Sequence, residues 1–191
     1  MKFKILLYFC MMIVCCSKSF TQNYRIDPDS MIKNIIYNDN QYVIGKELCD
    51  FETVSLNGEA ISNDQLIGRV TLVNLWFEAC APCIAELADL SNLYNKYKNN
   101  RTFQFLSFTV DNVSVARNAV SKYHIPFTVC PISRELAYKF NFNFGFPTNM
   151  IINKEGKIVF FNIEAIYSKK NNDKNLITLM DELIDKILGE E

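Results

Sequence analysis

Val70-Thr71-Leu72-Val73-Asn74-Leu75-Trp76-Phe77-Glu78-Ala79-Cys80-Ala81-Pro82-Cys83 is the stretch whose reading decides the fold. Val70 to Trp76 is nearly all apolar, the pattern of a strand covered on both faces. Beyond Cys83, Leu87, Leu90, Tyr94 and Tyr97 recur at helical spacing. Cys80 and Cys83 therefore stand where a buried strand hands over to a helix. A cysteine at a helix N-terminus feels unpaired N–H groups and the positive dipole end, which favour thiolate over thiol. Three residues on, Cys83 comes round the first turn within disulfide reach. Pro82 suits the first turn, which does not need its missing N–H. Lowering a thiol pKa from roughly 8.5 to 7 raises its thiolate fraction about 16-fold at neutral pH. Falling nucleophilicity returns about 5-fold of that, so the net gain in attack rate is only about 3-fold. Such a motif sets reduction potential more than speed.

Working outward, Thr53 to Ile61 reads as a hairpin turning at Asn57-Gly58. Phe103 to Val110 is a second apolar strand. Ala116, Ala119, Val120 and Tyr123 mark one face of a second helix. Phe127 to Cys130 reads as a short strand, with a turn of helix near 133–140. Met150-Ile151-Ile152 and Ile158 to Phe161 flank Asn153-Lys154-Glu155-Gly156-Lys157 as an antiparallel hairpin. Leu176, Met180, Leu183, Ile184 and Ile187 mark a closing helix. The order predicts an α/β fold, a mixed central sheet flanked by helices with an N-terminal β-hairpin extension.

The chain has 191 residues, 49% of them hydrophobic, enough for one packed domain and too ordered in pattern for wholesale disorder. Its formal net charge is −1, and loss of a leader holding Lys2 and Lys4 takes it to −3. No basic surplus exists to hold a phosphate backbone, so nucleic acid is not an expected partner. Seven cysteines against one histidine favour thiol over imidazole chemistry.

Lys2 and Lys4 precede an apolar run from Ile5 to Val14, then Cys15, Cys16 and a polar segment, which fits an export signal. The run is shorter than the roughly 18 residues of a membrane span. Ile13-Val14-Cys15-Cys16 resembles a bacterial lipobox, except that Cys15 stands where a small residue is usual. Lipidation on Cys16 is preferred over ordinary cleavage or an uncleaved leader, and each places the domain outside the cytoplasm. The division expected is a leader (1–16), a polar Asn-rich tether (17–42) and the folded domain (43–191).

Two bland readings compete for the Cys-x-x-Cys. Structural zinc wants four ligands, and Cys49, Cys130 and His124 supply no second pair, so no metal is expected. A static disulfide closing so short a loop would constrain little of the unfolded chain.

Val73 to Cys83, followed by Glu86-Leu87, resembles the strand and active site of TlpA/ResA-like thioredoxin-fold proteins. Gly145-Phe146-Pro147-Thr148 with Met150 to Asn153 and Glu155-Gly156-Lys157-Ile158 resembles that family's cis-proline segment and final hairpin. Gly45-Lys46-Glu47, Asp50-Phe51 and Leu56-Asn57-Gly58 resemble its N-terminal segment, so the likeness covers about residues 43–165. It implies an extracytoplasmic thiol–disulfide oxidoreductase of the protein-disulfide reductase type, with no metal or organic cofactor. Cys80 would be the exposed attacking thiol and Cys83 the buried resolving one. Pro147 would be the cis-proline, with Phe146, Pro147 and Thr148 meeting an extended client segment. Glu86 would match a family glutamate that helps move protons; the alternative is a solvated helix face favoured by the dipole. The implied partners are disulfide-containing or dithiol client proteins, a membrane electron donor and, through the lipid anchor, the membrane. Ala79 departs from the family, which usually has Trp before the first Cys, so an aromatic wall is lost beside the site.

Other residues carry less. His124 reads as a cap or surface residue, Trp76 as packing, and Cys49 and Cys130 as inert thiols rather than a second disulfide. Two rival functions remain. A copper-delivery protein of the Sco type would use Cys-x-x-x-Cys and a distal His, whereas the spacing here is two and His124 falls early. A peroxiredoxin-like peroxidase would need a lone Cys in a Thr/Pro-rich turn, which the sequence lacks.

Overall fold

A computed structural model of the chain describes residues 42–163 and 176–189. The leader, nearly all of the tether and Cys16 lie outside the described residues.

Every residue of β3 (Val70–Trp76) is buried, as its nearly all-apolar run predicts. It is the centre of a five-stranded sheet ordered β5-β4-β3-β6-β7. β4 (Phe103–Thr109) runs parallel to β3, and β5 (Thr128–Pro131) parallel to β4. On the other side β6 (Thr148–Ile152) is antiparallel to β3, and β7 (Ile158–Asn162) antiparallel to β6. The α-helices among the described residues are α1 (Ala81–Tyr97), α2 (Val113–Tyr123), α3 (Arg134–Phe140) and α4 (Leu176–Gly189).

Strand side chains alternate between faces, and the core divides accordingly. Val70, Leu72, Trp76, Phe103, Phe105 and Ile151 join α1, α2 and α4 in one cluster. Val73, Leu75, Leu106, Phe108, Met150 and Ile152 join α3 and the N-terminal segment in the other. The face of α1 turned inward carries Cys83, Glu86, Leu87, Leu90, Leu93 and Tyr97, with Leu93 taking the buried place expected for Tyr94. Lys96 holds α4 against the far end of α1, at 2.6 Å from Asp181 and 2.9 Å from Asp185.

The N-terminal hairpin is present but differs in its turn. β1 (Glu52–Val54) and β2 (Ala60–Ser62) are three residues each, joined by five rather than two. Ser55 Oγ accepts the N–H groups of Asn57 and Glu59 and so organises the longer loop. Leu56 turns inward; its N–H donates to Val129 O, and Arg117 donates to its carbonyl. With Thr53 Oγ1 donating to Pro131 O, the hairpin covers the β5 edge, which would otherwise offer unpaired backbone groups.

His124 is the left-handed C-cap of α2 and exposed, as expected of a capping residue. Cys49 and Cys130 are both unpaired, Cys49 exposed and Cys130 buried in β5. Burial pushes the Cys130 thiol up to about 12, helped by the Glu59 charge. The thiolate is the reactive form, so a raised value silences Cys130 at neutral pH. Native alkylation of the protein at about pH 8, read by mass spectrometry, should label Cys49 and spare Cys130 until denaturant is added.

Candidate active site

The strand-to-helix junction is held from three sides. Cys80 is the N-cap of α1 with extended backbone (φ −86°, ψ 92°), and Pro82 falls in the first turn. The Cys80 N–H donates to Phe77 O at 3.0 Å. The Glu78 N–H donates to Asp111 Oδ2 at 2.6 Å, and Thr109 Oγ1 donates to the same oxygen at 3.0 Å. Glu78 in turn pairs with Lys122 at 3.2 Å. Asp111 thus clips the loop before the dithiol to the end of β4. The sequence reading missed it, although an acid directly after an apolar strand was the available signal.

Cys80 and Cys83 are joined, with S–S 1.98 Å and Cα–Cα 5.2 Å. The Cys83 N–H donates to Cys80 Sγ at 3.3 Å, a contact that would favour charge on that sulfur once the bond opens. Cys80 keeps 6% of its surface and Cys83 none. The order of exposure is the one expected, but Cys80 is far more covered than an exposed thiol, because its side chain points into the cluster holding Trp76, Leu56 and Val129. Ala79, Ala81 and Pro82 around it are exposed.

Across from this junction runs the Gly145–Thr148 segment, with a cis Phe146–Pro147 bond. Leu75 pairs with Thr148, so the next step along β6 sets Pro147 level with Trp76, where the loop to Cys80 begins. Two buried side chains shape the approach: Asn141 Nδ2 and Thr148 Oγ1 both donate to Gly145 O, at 2.7 and 2.6 Å. Phe142 (φ 53°) and Asn143 (φ 66°) take left-handed backbone in the same loop, with the Asn143 N–H donated to Asn141 Oδ1. Pro147 and the Thr148 side chain are buried, so of the three expected client contacts Phe146 alone keeps substantial exposed surface. Phe146 meets Phe77 edge-on at 5.3 Å and Tyr138 at 6.0 Å. These rings supply an aromatic surface where Ala79 supplies none.

Glu86 is wholly buried, which overturns the solvated-face alternative. It follows Cys83 by three residues on the same inward face of α1. Its Oε1 accepts from Asn74 Nδ2 and Asn149 Nδ2, each at 3.0 Å. Asn74 and Ser107 were visible in the sequence as polar breaks in apolar strands; Asn149, at the start of its strand, carried no such signal.

A cavity of about 380 Å³ is lined by Arg69, Tyr94, Lys98 and Phe103, among others. Phe103 pairs with Val70, so that cavity lies at the opposite end of β3 from Cys80.

Comparison with known proteins agrees with this geometry. The Redoxin family model matches residues 43–177. The "Thiol-disulfide oxidoreductase ResA" of Bacillus thuringiensis (strain Al Hakam) is 31% identical over 120 residues, covering 61% of this chain and 67% of that protein. A protein of the same name from Bacillus cereus is 29% identical over 153 residues, covering 78% of this chain and 81% of that protein. A crystal structure of a putative thiol:disulfide interchange protein DsbE from Chlorobium tepidum superposes with a TM-score of 0.66 at 20% identity, over 76% of this chain and 98% of that one, a likeness of fold. The chain belongs to the Redoxin family, as a thiol–disulfide oxidoreductase of the thioredoxin/ResA type.

Proposed function

We propose that the protein works outside the cytoplasm, reducing disulfides in client proteins through Cys80 and Cys83. The carrying observation is the asymmetry of the pair: Cys80 at the helix N-cap with residual exposure, Cys83 behind it with none. Only Cys80 can meet a client sulfur directly. In the reduced protein, the Cys80 thiolate attacks one sulfur of a client disulfide. A Cys80–client bond forms, the client S–S bond breaks, and the first client sulfur leaves and takes a proton. Cys83 then gives its proton to Glu86 and attacks Cys80 Sγ. The Cys80–Cys83 bond forms, the second client sulfur departs, and two electrons have passed from protein to client. A dithiol donor at the membrane would restore the reduced pair.

Phe146 beside Pro147 is the edge on which an extended client segment would lie, with the Phe77 and Tyr138 rings next to it. The export reading rests on Lys2, Lys4, the apolar run and Cys16, and the anchor would be a lipid on Cys16.

Cys80→Ser should abolish client reduction, whereas Cys83→Ala should accumulate Cys80-linked adducts visible on non-reducing gels. Unaltered turnover in Cys80→Ser would end the proposal. Cys16→Ala should move the protein from the membrane to the soluble fraction; a variant that stays with the membrane would remove the lipid anchor from the account.

A further inference from the structure

Three strands bring a row of polar side chains to the α1 face of the sheet. Asn74 on β3 pairs in register with Ser107 on β4 and with Asn149 on β6. All three are completely buried, as are Trp76 and Glu86. Trp76 Nε1 donates to Ser107 Oγ at 2.8 Å, and Ser107 Oγ donates to Asn74 Oδ1 at 3.4 Å. Asn74 Nδ2 donates to Asn149 Oδ1 at 2.9 Å and to Glu86 Oε1 at 3.0 Å, and Asn149 Nδ2 closes on the same Glu86 oxygen.

The polarity of this row is set at both ends. An indole N–H can only donate, and an ionised carboxylate can only accept. With Trp76 at one end and Glu86 at the other, each amide has one favourable orientation. A flipped Asn74 would set its oxygen against Glu86 Oε1. No buried side-chain nitrogen or oxygen among the described residues lacks a partner, so the row is complete. Burial penalises charge on a carboxylate, and two N–H donors on one oxygen favour it.

We infer that Trp76, Ser107, Asn74 and Asn149 form a one-way chain of donors that holds Glu86 oriented and ionised, making Asn74 and Asn149 positioning residues for the proton transfer from Cys83. This rests on the proposed role of Glu86 as proton acceptor. Among the described residues, the following groups lie on the elements around Glu86. β3, β4 and β6 face it with the neutral groups named. Its own helix carries Cys80 and Cys83 on the dithiol side and half-buried Asp89 one turn on. On α4, Asp181 and Asp185 meet α1 at its far end, at Lys96.

The test follows the Cys80–Cys83 bond forming in the reduced full-length protein with bis(2-hydroxyethyl) disulfide, a neutral oxidant, from about pH 4.5 to 9. Rates are read by acid quench and mass spectrometry, with thermal unfolding measured in parallel. Glu86→Gln should lose the acid limb of the profile. Asn149→Leu, neutral and of similar size, should move that limb upward by about one pH unit, roughly tenfold in rate on the limb. Ser107→Ala frees the Asn74 amide to flip and should move it the same way by less, about threefold, while Ser107→Thr keeps the hydroxyl and the wild-type limb. A limb that stays in place in both Asn149→Leu and Ser107→Ala, whatever their stability, overturns the inference and leaves the role of Glu86 standing. Should Asn149→Leu fail to fold, Ser107→Ala decides alone. A wild-type limb in Glu86→Gln overturns the role of Glu86 itself, and this inference with it.

Discussion

The end of β3 has nowhere to go, and the chemistry depends on that. Seven consecutive buried residues pin the strand between β4 and β6, with α1, α2 and α4 on one face and α3 with the N-terminal segment on the other. The chain leaves the sheet at Trp76 and enters α1 at Ala81, with four residues to turn the corner. Cys80 is forced into the N-cap, where its sulfur meets the first-turn N–H of Cys83. A thiol elsewhere on the helix would lose that N–H and the dipole end together. The Asp111 clip on Glu78 and the β6 register through Leu75–Thr148 fix the two flanks of the same corner.

A core of this kind would be more stable if it were wholly apolar. Taking a carboxylate and three polar side chains out of water costs several kcal/mol, and hydrogen bonds recover only part of it. The row from Trp76 to Glu86 lies on the α1 face, the face shared with Cys83, and the opposite face of the same strands is filled by Val73, Leu75, Leu106, Phe108 and Met150. The buried carboxylate is thus on the side of the sheet that holds Cys83, while the opposite face buries only the hydroxyls of Thr71 and Thr148 beside its apolar residues. The aromatic rings of Phe77, Phe146 and Tyr138 lie at the other limit, half-exposed where a client would dock.

Much of this was legible in the residues. An apolar run of seven announces a central strand, Cys-x-x-Cys with Pro82 announces a helix start, and alternating apolar positions announce the remaining strands. The cis-proline was legible only through family resemblance, since nothing local distinguishes Phe146-Pro147 from a trans pair. Glu86 could also be read as a solvated residue because a first-turn acid is favourable there too; the donors that make its burial tolerable include Asn149, which arrives from a strand 63 residues later. The long hairpin loop escaped notice for a similar reason, as Leu56 is drawn inward by Val129 and Arg117, partners far along the chain. Residues 1–41, where the export reading lives, lie outside the described structure.

The most direct measurement is the equilibrium between dithiol and disulfide at Cys80 and Cys83 across a graded series of thiol buffers, scored by mass. The account predicts one reversible two-electron transition, about 30 mV per tenfold change in ratio, with a midpoint below about −250 mV. A midpoint near about −120 mV would contradict the reductive direction, and a pair that stayed in one form throughout would contradict the account as a whole.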